Sequence, residues 1–156
     1  MSISPGSVAA MSLVLAMLGL AGCSSAPKPT QVVATLEASP AVNPSMSKRP
    51  SPLLVRVYEL KSATVFSSID FVSLYQRDQA ELGADLLGRD EFMLAPGETR
   101  AFTKTLAPET RFIGVLGAFR DLERAHWRSV LPVQPGRKQE IVIRADELSV
   151  AATAKP

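Results

Sequence analysis

The nine residues from Leu53 to Lys61, LLVRVYELK, decide the fold class of this chain. Side chains on a strand alternate between faces, so Leu53, Val55 and Val57 fall on one side and Leu54, Arg56, Tyr58 and Leu60 on the other. The run predicts a strand, and its neighbours extend the pattern. VVATLEA, Val32–Ala38, predicts an earlier strand. Downstream, EFMLA and TRAFTKTL flank Pro96-Gly97, and HWRSVLPV and QEIVIRA flank Pro135-Gly136. Proline second and glycine third is the signature of a type II turn, because Pro fixes φ and Gly accepts a positive one. RFIGVLGAF, Arg111–Phe119, is apolar on both faces, as a central strand of a covered sheet should be. RDLERA links it to the strand that contains Trp127.

The period changes after Leu60. In DFVSLYQRDQAEL, Asp70–Leu82, Phe71, Leu74, Tyr75 and Leu82 lie near one face of a helix. Asp70 stands where an N-cap belongs and Gly83 where a C-cap belongs. The spacing predicts a helical insertion at about residues 62–83, packed on a sheet. Seven strands at short spacing with one such insertion predict a mainly β chain, an antiparallel two-sheet β-sandwich. The domain is expected over residues 31–148, with 149–156 as a C-terminal tail.

Composition fits one packed domain: 156 residues, 46% hydrophobic and 21% charged. The net charge is +2 and the basic residues stand singly or in pairs, such as Lys48-Arg49 and Arg137-Lys138. No basic run interleaved with aromatics marks a nucleic-acid surface.

The first 22 residues carry no charged side chain, and Val8–Leu20 is an apolar core of 13 residues. That length suits a secretory signal and is short of the roughly 20 residues that span a bilayer. The segment before it has no Lys or Arg, so the signal is atypical or begins further upstream. Cys23 follows at once and is the only cysteine. It has no partner for a disulfide, no adjacent base for catalysis, since His126 is the only histidine, and no core around it. Leu20-Ala21-Gly22-Cys23 resembles the lipobox of bacterial lipoproteins, in which the signal is cut before a diacylated cysteine whose new amine is also acylated. Two acyl chains suffice for stable attachment, and three make release negligible. Asp directly after the cysteine usually retains such proteins in the inner membrane; Ser24 here implies the outer one. Ser24–Thr30, SSAPKPT, reads as a polar tether kept extended by its prolines.

Between the first two strands lies SPAVNPSMSKRPSP, Ser39–Pro52, with four prolines. It is longer than an ordinary hairpin connection and reads either as a disordered excursion or as a projecting recognition loop. Other chemistry is missing from the sequence. One His and one Cys make no zinc site, and no glycine-rich phosphate motif is present. The carboxylate pairs Asp90-Glu91, Asp121/Glu123 and Asp146-Glu147 read as solvated charge at strand ends and in a turn. In His126-Trp127-Arg128, Trp127 is expected to fill the core and Arg128 to pair with a carboxylate.

In order and spacing, LAGCSS, RPSPLLVRVYELKS, DFVSLY, LGADLLGRDEFMLAPGE and RFIGVLGAFRDLERAHWR resemble the outer-membrane lipoproteins of the type VI secretion system, the TssJ/VasD/SciN family. The resemblance implies a transthyretin-like β-sandwich that is not an enzyme and needs no cofactor beyond the covalent lipid on Cys23. It implies a tether to the outer membrane that binds the C-terminal periplasmic region of the inner-membrane TssM (IcmF-like) protein. The loop between the first two strands is the implied contact, here through Asn43, Ser45, Met46, Lys48 and Arg49. Methionine is adaptable and the two cations steer approach. The rival expectation is a periplasm-facing lipoprotein carrier or chaperone, which requires a cavity for an apolar ligand between the sheets.

Overall fold

A computed structural model describes residues 26–156; the signal segment, Cys23 and Ser24 lie outside the described residues. Eight strands form two four-stranded sheets. They are β1 (Gln31–Ala38), β2 (Leu53–Leu60), β3 (Leu86–Leu94), β4 (Thr99–Thr105), β5 (Phe112–Gly117), β6 (Arg128–Pro132), β7 (Lys138–Ala145) and β8 (Val150–Ala154). One sheet runs β4-β1-β7-β8 and the other β3-β2-β5-β6.

Two features depart from the sequence reading. β1 and β7 pair in parallel, Gln31 opposite Lys138 and Ala38 opposite Ala145, within sheets that are otherwise antiparallel. The stretch expected as a tail contains β8, which pairs with β7 from Ile141–Ala154 to Ala145–Val150. Backbone pairing makes this strand despite its small side chains, and Ser129 Oγ accepts from the Ala152 N–H at 3.0 Å.

Alternation positions the core. On β1, Val32, Ala34, Leu36 and Ala38 point inward, and on β2 Leu53, Val55 and Val57 face them across the sandwich. The opposite face of β2 is also covered. Tyr58 and Leu60 lie beneath α1 (Thr64–Ser68) and α2 (Phe71–Leu82), in a second cluster with Phe66, Leu74, Leu82 and Leu116. Asp70 caps α2 by accepting from the Ser73 N–H at 2.9 Å, and Gly83 ends it with φ 51°. A residue at 114 must stay small for α1 to sit this close: a Cβ on Gly114 would fall 2.9 Å from both Leu60 and Phe66.

Arg56 and Asp78 fasten the insertion to the sheet. Asp78 is buried at 5% exposure. It accepts from Arg89 at 2.6 Å, the Tyr58 hydroxyl at 3.2 Å, Arg56 at 3.4 Å and its neighbour's Gln79 N–H at 2.8 Å. Burial pushes the Tyr58 phenol up to about 12, so it remains a neutral donor. Arg56 also donates to Glu91 at 2.7 Å and to the Tyr75 carbonyl at 2.7 Å, and stacks on the Tyr75 ring. Asp90 is bound by Lys104 at 2.6 Å, so the Asp90-Glu91 pair is a charge-paired mid-strand element rather than solvated charge at a strand end.

The two triplet expectations are revised as well. Trp127 is half-buried and bridges both clusters, edge-to-face with Phe71 at 5.2 Å, instead of filling the sandwich core alone. Arg128 meets no carboxylate among the described residues. It donates to the carbonyls of Phe66 at 3.1 Å and Ile69 at 2.6 Å, closing the carbonyl end of α1.

Strand directions give the sandwich two poles. At one, the tether enters β1 beside the β6–β7 turn; at the other, β1 leaves into the Ser39–Pro52 loop. Gly97 and Gly136 have φ of 76° and 71°, the positive values expected of the two Pro-Gly turns.

Candidate functional site

The long loop is an ordered structure with a braced base and a free tip. Its base is held by Val42 and Asn43, both buried, at 0% and 4% exposure. Asn43 donates through its side-chain amide to the Pro52 carbonyl at 2.8 Å and accepts from the Arg120 N–H at 2.8 Å. Its own N–H donates to the Glu147 carbonyl at 3.0 Å. Ser51 completes the brace: its hydroxyl donates to the Asn43 carbonyl and its N–H to the Val42 carbonyl. One asparagine thus ties the loop to the β5–β6 connection and to the β7–β8 turn. Its φ of 49° is a left-handed value that asparagine tolerates better than most residues.

The tip is a tight turn. Ser45 N–H donates to the Arg49 carbonyl and Lys48 N–H to the Ser45 carbonyl, each at 2.8 Å. Ser45 Oγ lies 2.9 Å from Ser47 Oγ and accepts from the Arg49 N–H at 3.3 Å. These bonds consume the polar groups of Ser45 and leave Met46, Lys48 and Arg49 outward. Met46 is fully exposed, the most exposed large apolar side chain among the described residues. An exposed methionine on a stiffened turn is an adaptable apolar contact whose ordering cost is largely met before binding.

Of the five residues chosen from the sequence, the structure places Met46, Lys48 and Arg49 together at the tip. Ser45 shapes the turn. Asn43 is buried in the base and offers no contact surface, because its side chain is fully engaged with Pro52 and Arg120. What sequence reasoning missed is the opposite wall. Pro44, Met46 and Lys48 border an open groove of about 880 Å³ whose far side is Arg120–Arg124 with Glu147 and Leu148. Hydrogen bonding to Arg124, at 2.6 Å, holds the Asp121 carboxyl below the usual range, so it stays ionised and clamps that turn. The groove is mixed in charge, with Lys48, Arg120 and Arg124 against Asp121, Glu123 and Glu147. Such a surface suits a polar protein segment better than a small apolar ligand.

Among the described residues no group of three His, Cys, Asp or Glu could hold a metal ion, and no helix is long and apolar enough to cross a membrane. Between the sheets, beside Val57, Ile113 and Ile141, the free space measures about 10 Å³, room for one water at most.

A two-sheet β-sandwich with a helical insertion on one sheet and a stiffened loop at one pole is the class these features define. The chain belongs to the type VI secretion lipoprotein family that includes VasD, EvfM and TssJ, whose family model matches residues 30–148. It is similar to the T6SS lipoprotein TssJ1 from Pseudomonas aeruginosa, with 42% identity and a TM-score of 0.80 over 82% of this chain and 98% of that one. It is also similar to Serratia marcescens Lip, a membrane-bound component of the type VI secretion system, with 28% identity and a TM-score of 0.75 over 82% and 99%. A chain in a structure described as the T6SS protein TssM C-terminal domain from EAEC matches with 26% identity and a TM-score of 0.63 over 81% and 98%. No curated protein sequence matches the chain significantly.

Proposed function

We propose that this chain is an outer-membrane-anchored lipoprotein that couples a type VI secretion membrane complex to the outer membrane, without enzymatic chemistry of its own. Acyl chains on Cys23 provide the anchor. The tip residues Met46, Lys48 and Arg49 hold the periplasmic C-terminal region of the TssM (IcmF-like) inner-membrane protein. One observation carries the reading: an exposed, pre-ordered loop tip stands at the pole opposite the tether, so anchor and partner pull on opposite ends of a hydrogen-bonded sandwich. The family and the similar chain associated with a TssM domain support the choice of partner.

The carrier reading finds no support beside Val57, Ile113 and Ile141, where the space between the sheets is too small for an acyl chain. Cys23→Ser should move the protein from the membrane fraction to the soluble one with unchanged thermal unfolding; retention in the membrane fraction would contradict the anchor. Replacing residues 44–49 by a shorter linker, with Asn43 and Ser51 kept, should weaken capture of the TssM periplasmic domain at least tenfold. Undiminished capture would remove the tip from the mechanism.

A further inference from the structure

We infer that the tether pole is a docking surface for anionic phospholipid headgroups, with Lys28, Arg137 and Lys138 as its phosphate contacts. The inference rests on Cys23 as the membrane anchor and adds a second, electrostatic contact that sets the orientation of the domain.

Position comes first. The chain becomes part of the domain at Thr30, which was grouped with the tether but is buried at 5% exposure. Its hydroxyl accepts from the Gly136 N–H at 2.9 Å and its carbonyl from the Leu106 N–H at 2.9 Å, while Gln31 N–H donates to the Arg137 carbonyl at 3.0 Å. Thr30 lies seven positions after Cys23, a maximum reach of about 25 Å. The β6–β7 turn is therefore held within about 25 Å of the lipid surface, where it can reach the headgroups.

Charge comes second. Other cations at this pole are already engaged: Lys61 with Glu109 at 3.1 Å, Lys155 with Glu140 at 3.6 Å, and Arg111 with the carbonyls of Pro108 and Thr110. Lys28, Arg137 and Lys138 are exposed and have no carboxylate within ion-pair distance among the described residues. The 27 residues that precede Lys28 contain no Asp or Glu. Lys28 and the turn are adjacent, since a Cβ on Gly136 would lie 3.6 Å from the Lys28 carbonyl. Three uncompensated cations thus surround the point where the anchor chain enters.

A basic residue near an anionic leaflet is worth roughly a fivefold change in partition, within a screening distance of about 8 Å. Three of them bias a free domain by about a hundredfold at most, and a short tether makes the encounter intramolecular. The consequence is orientation. With the turn against the headgroups, the loop tip lies beyond the length of β1, about 25 Å further from the lipid.

The test uses the mature chain, Cys23–Pro156, coupled through its single thiol to maleimide lipid in nanodiscs that carry a gadolinium-chelating lipid. On discs containing phosphatidylglycerol, amide broadening should concentrate on residues 136–138 and spare 45–49. On phosphatidylcholine discs, or with Lys28→Gln, Arg137→Gln and Lys138→Gln together, the bias between the poles should shrink severalfold to what the tether alone imposes, and an unchanged bias would assign it to the tether and overturn the proposal. Equal broadening of both poles on phosphatidylglycerol discs would overturn the proposal. If inorganic phosphate at constant ionic strength removes the charge-dependent part of the bias and shifts the same amides on phosphatidylcholine discs, the cluster is a free-phosphate site and the lipid proposal fails. Chemical coupling supplies the anchor, so this outcome is separable from lipidation of Cys23 in cells, which the membrane-fraction test addresses.

Discussion

At the scale of single residues, Asn43 and Met46 lie close in sequence and do opposite work. Asn43 receives the Arg120 N–H across 77 positions of sequence, a partner that no local pattern displays. In a stretch of Pro and Ser an asparagine reads as surface, which is why it was grouped with the contact residues. Asn43→Ala would leave the partly buried Arg120 N–H and Pro52 carbonyl without that partner, at about 1 kcal/mol, measurable as a lower denaturant midpoint with unchanged slope. Met46→Ser should change stability by less than about 0.5 kcal/mol, because the side chain touches little, yet weaken partner capture. Gly114 shows the same limit of legibility. It looked like one more residue of an apolar strand, and only the close approach of Phe66 explains it.

At the scale of elements, what was legible is what local chemistry controls. Asp70 and Gly83 marked both ends of α2, and the apolar face of Phe71, Leu74, Tyr75 and Leu82 lies where its spacing put it. β8 was invisible because Val-Ala-Ala-Thr-Ala has weak strand propensity and is made a strand by its neighbours. The parallel β1–β7 pair was equally hidden, since alternation carries no direction. Asp78 was unread because a charged residue on a helix is normally solvated. Its removal tests the insertion: Asp78→Ala leaves Arg56 short of a buried partner and should cost about 3 kcal/mol, with faster hydrogen exchange in residues 71–82 than in β1. The cap gives a pH signature. Backbone hydrogen bonding from Ser73 holds the Asp70 carboxyl below its unfolded value, so its contribution is complete above that value and is lost as pH falls through the lower folded one. Asp70→Asn keeps an N-cap acceptor that does not titrate. Thermal unfolding between about pH 2 and 6 should therefore show a shallower acid decline in the variant. Equal slopes would exclude a role for that carboxylate.

At the scale of the whole molecule, one sheet joins two poles. The entry of the chain at Thr30 and the exit of β1 into a braced loop follow from a single strand, so a load between lipid and partner passes along hydrogen-bonded backbone rather than across a hinge. The proposed partner contact is the loop tip. Its most direct test is calorimetric titration of soluble Ser24–Pro156 with the periplasmic C-terminal domain of the cognate TssM-type protein, repeated with Met46, Lys48 and Arg49 all replaced by Ser. Saturable binding by the native chain is expected, with a loss of at least tenfold in the triple variant and both proteins unfolding at the same temperature. Equal affinity for two equally folded proteins would contradict it and move the contact to another face.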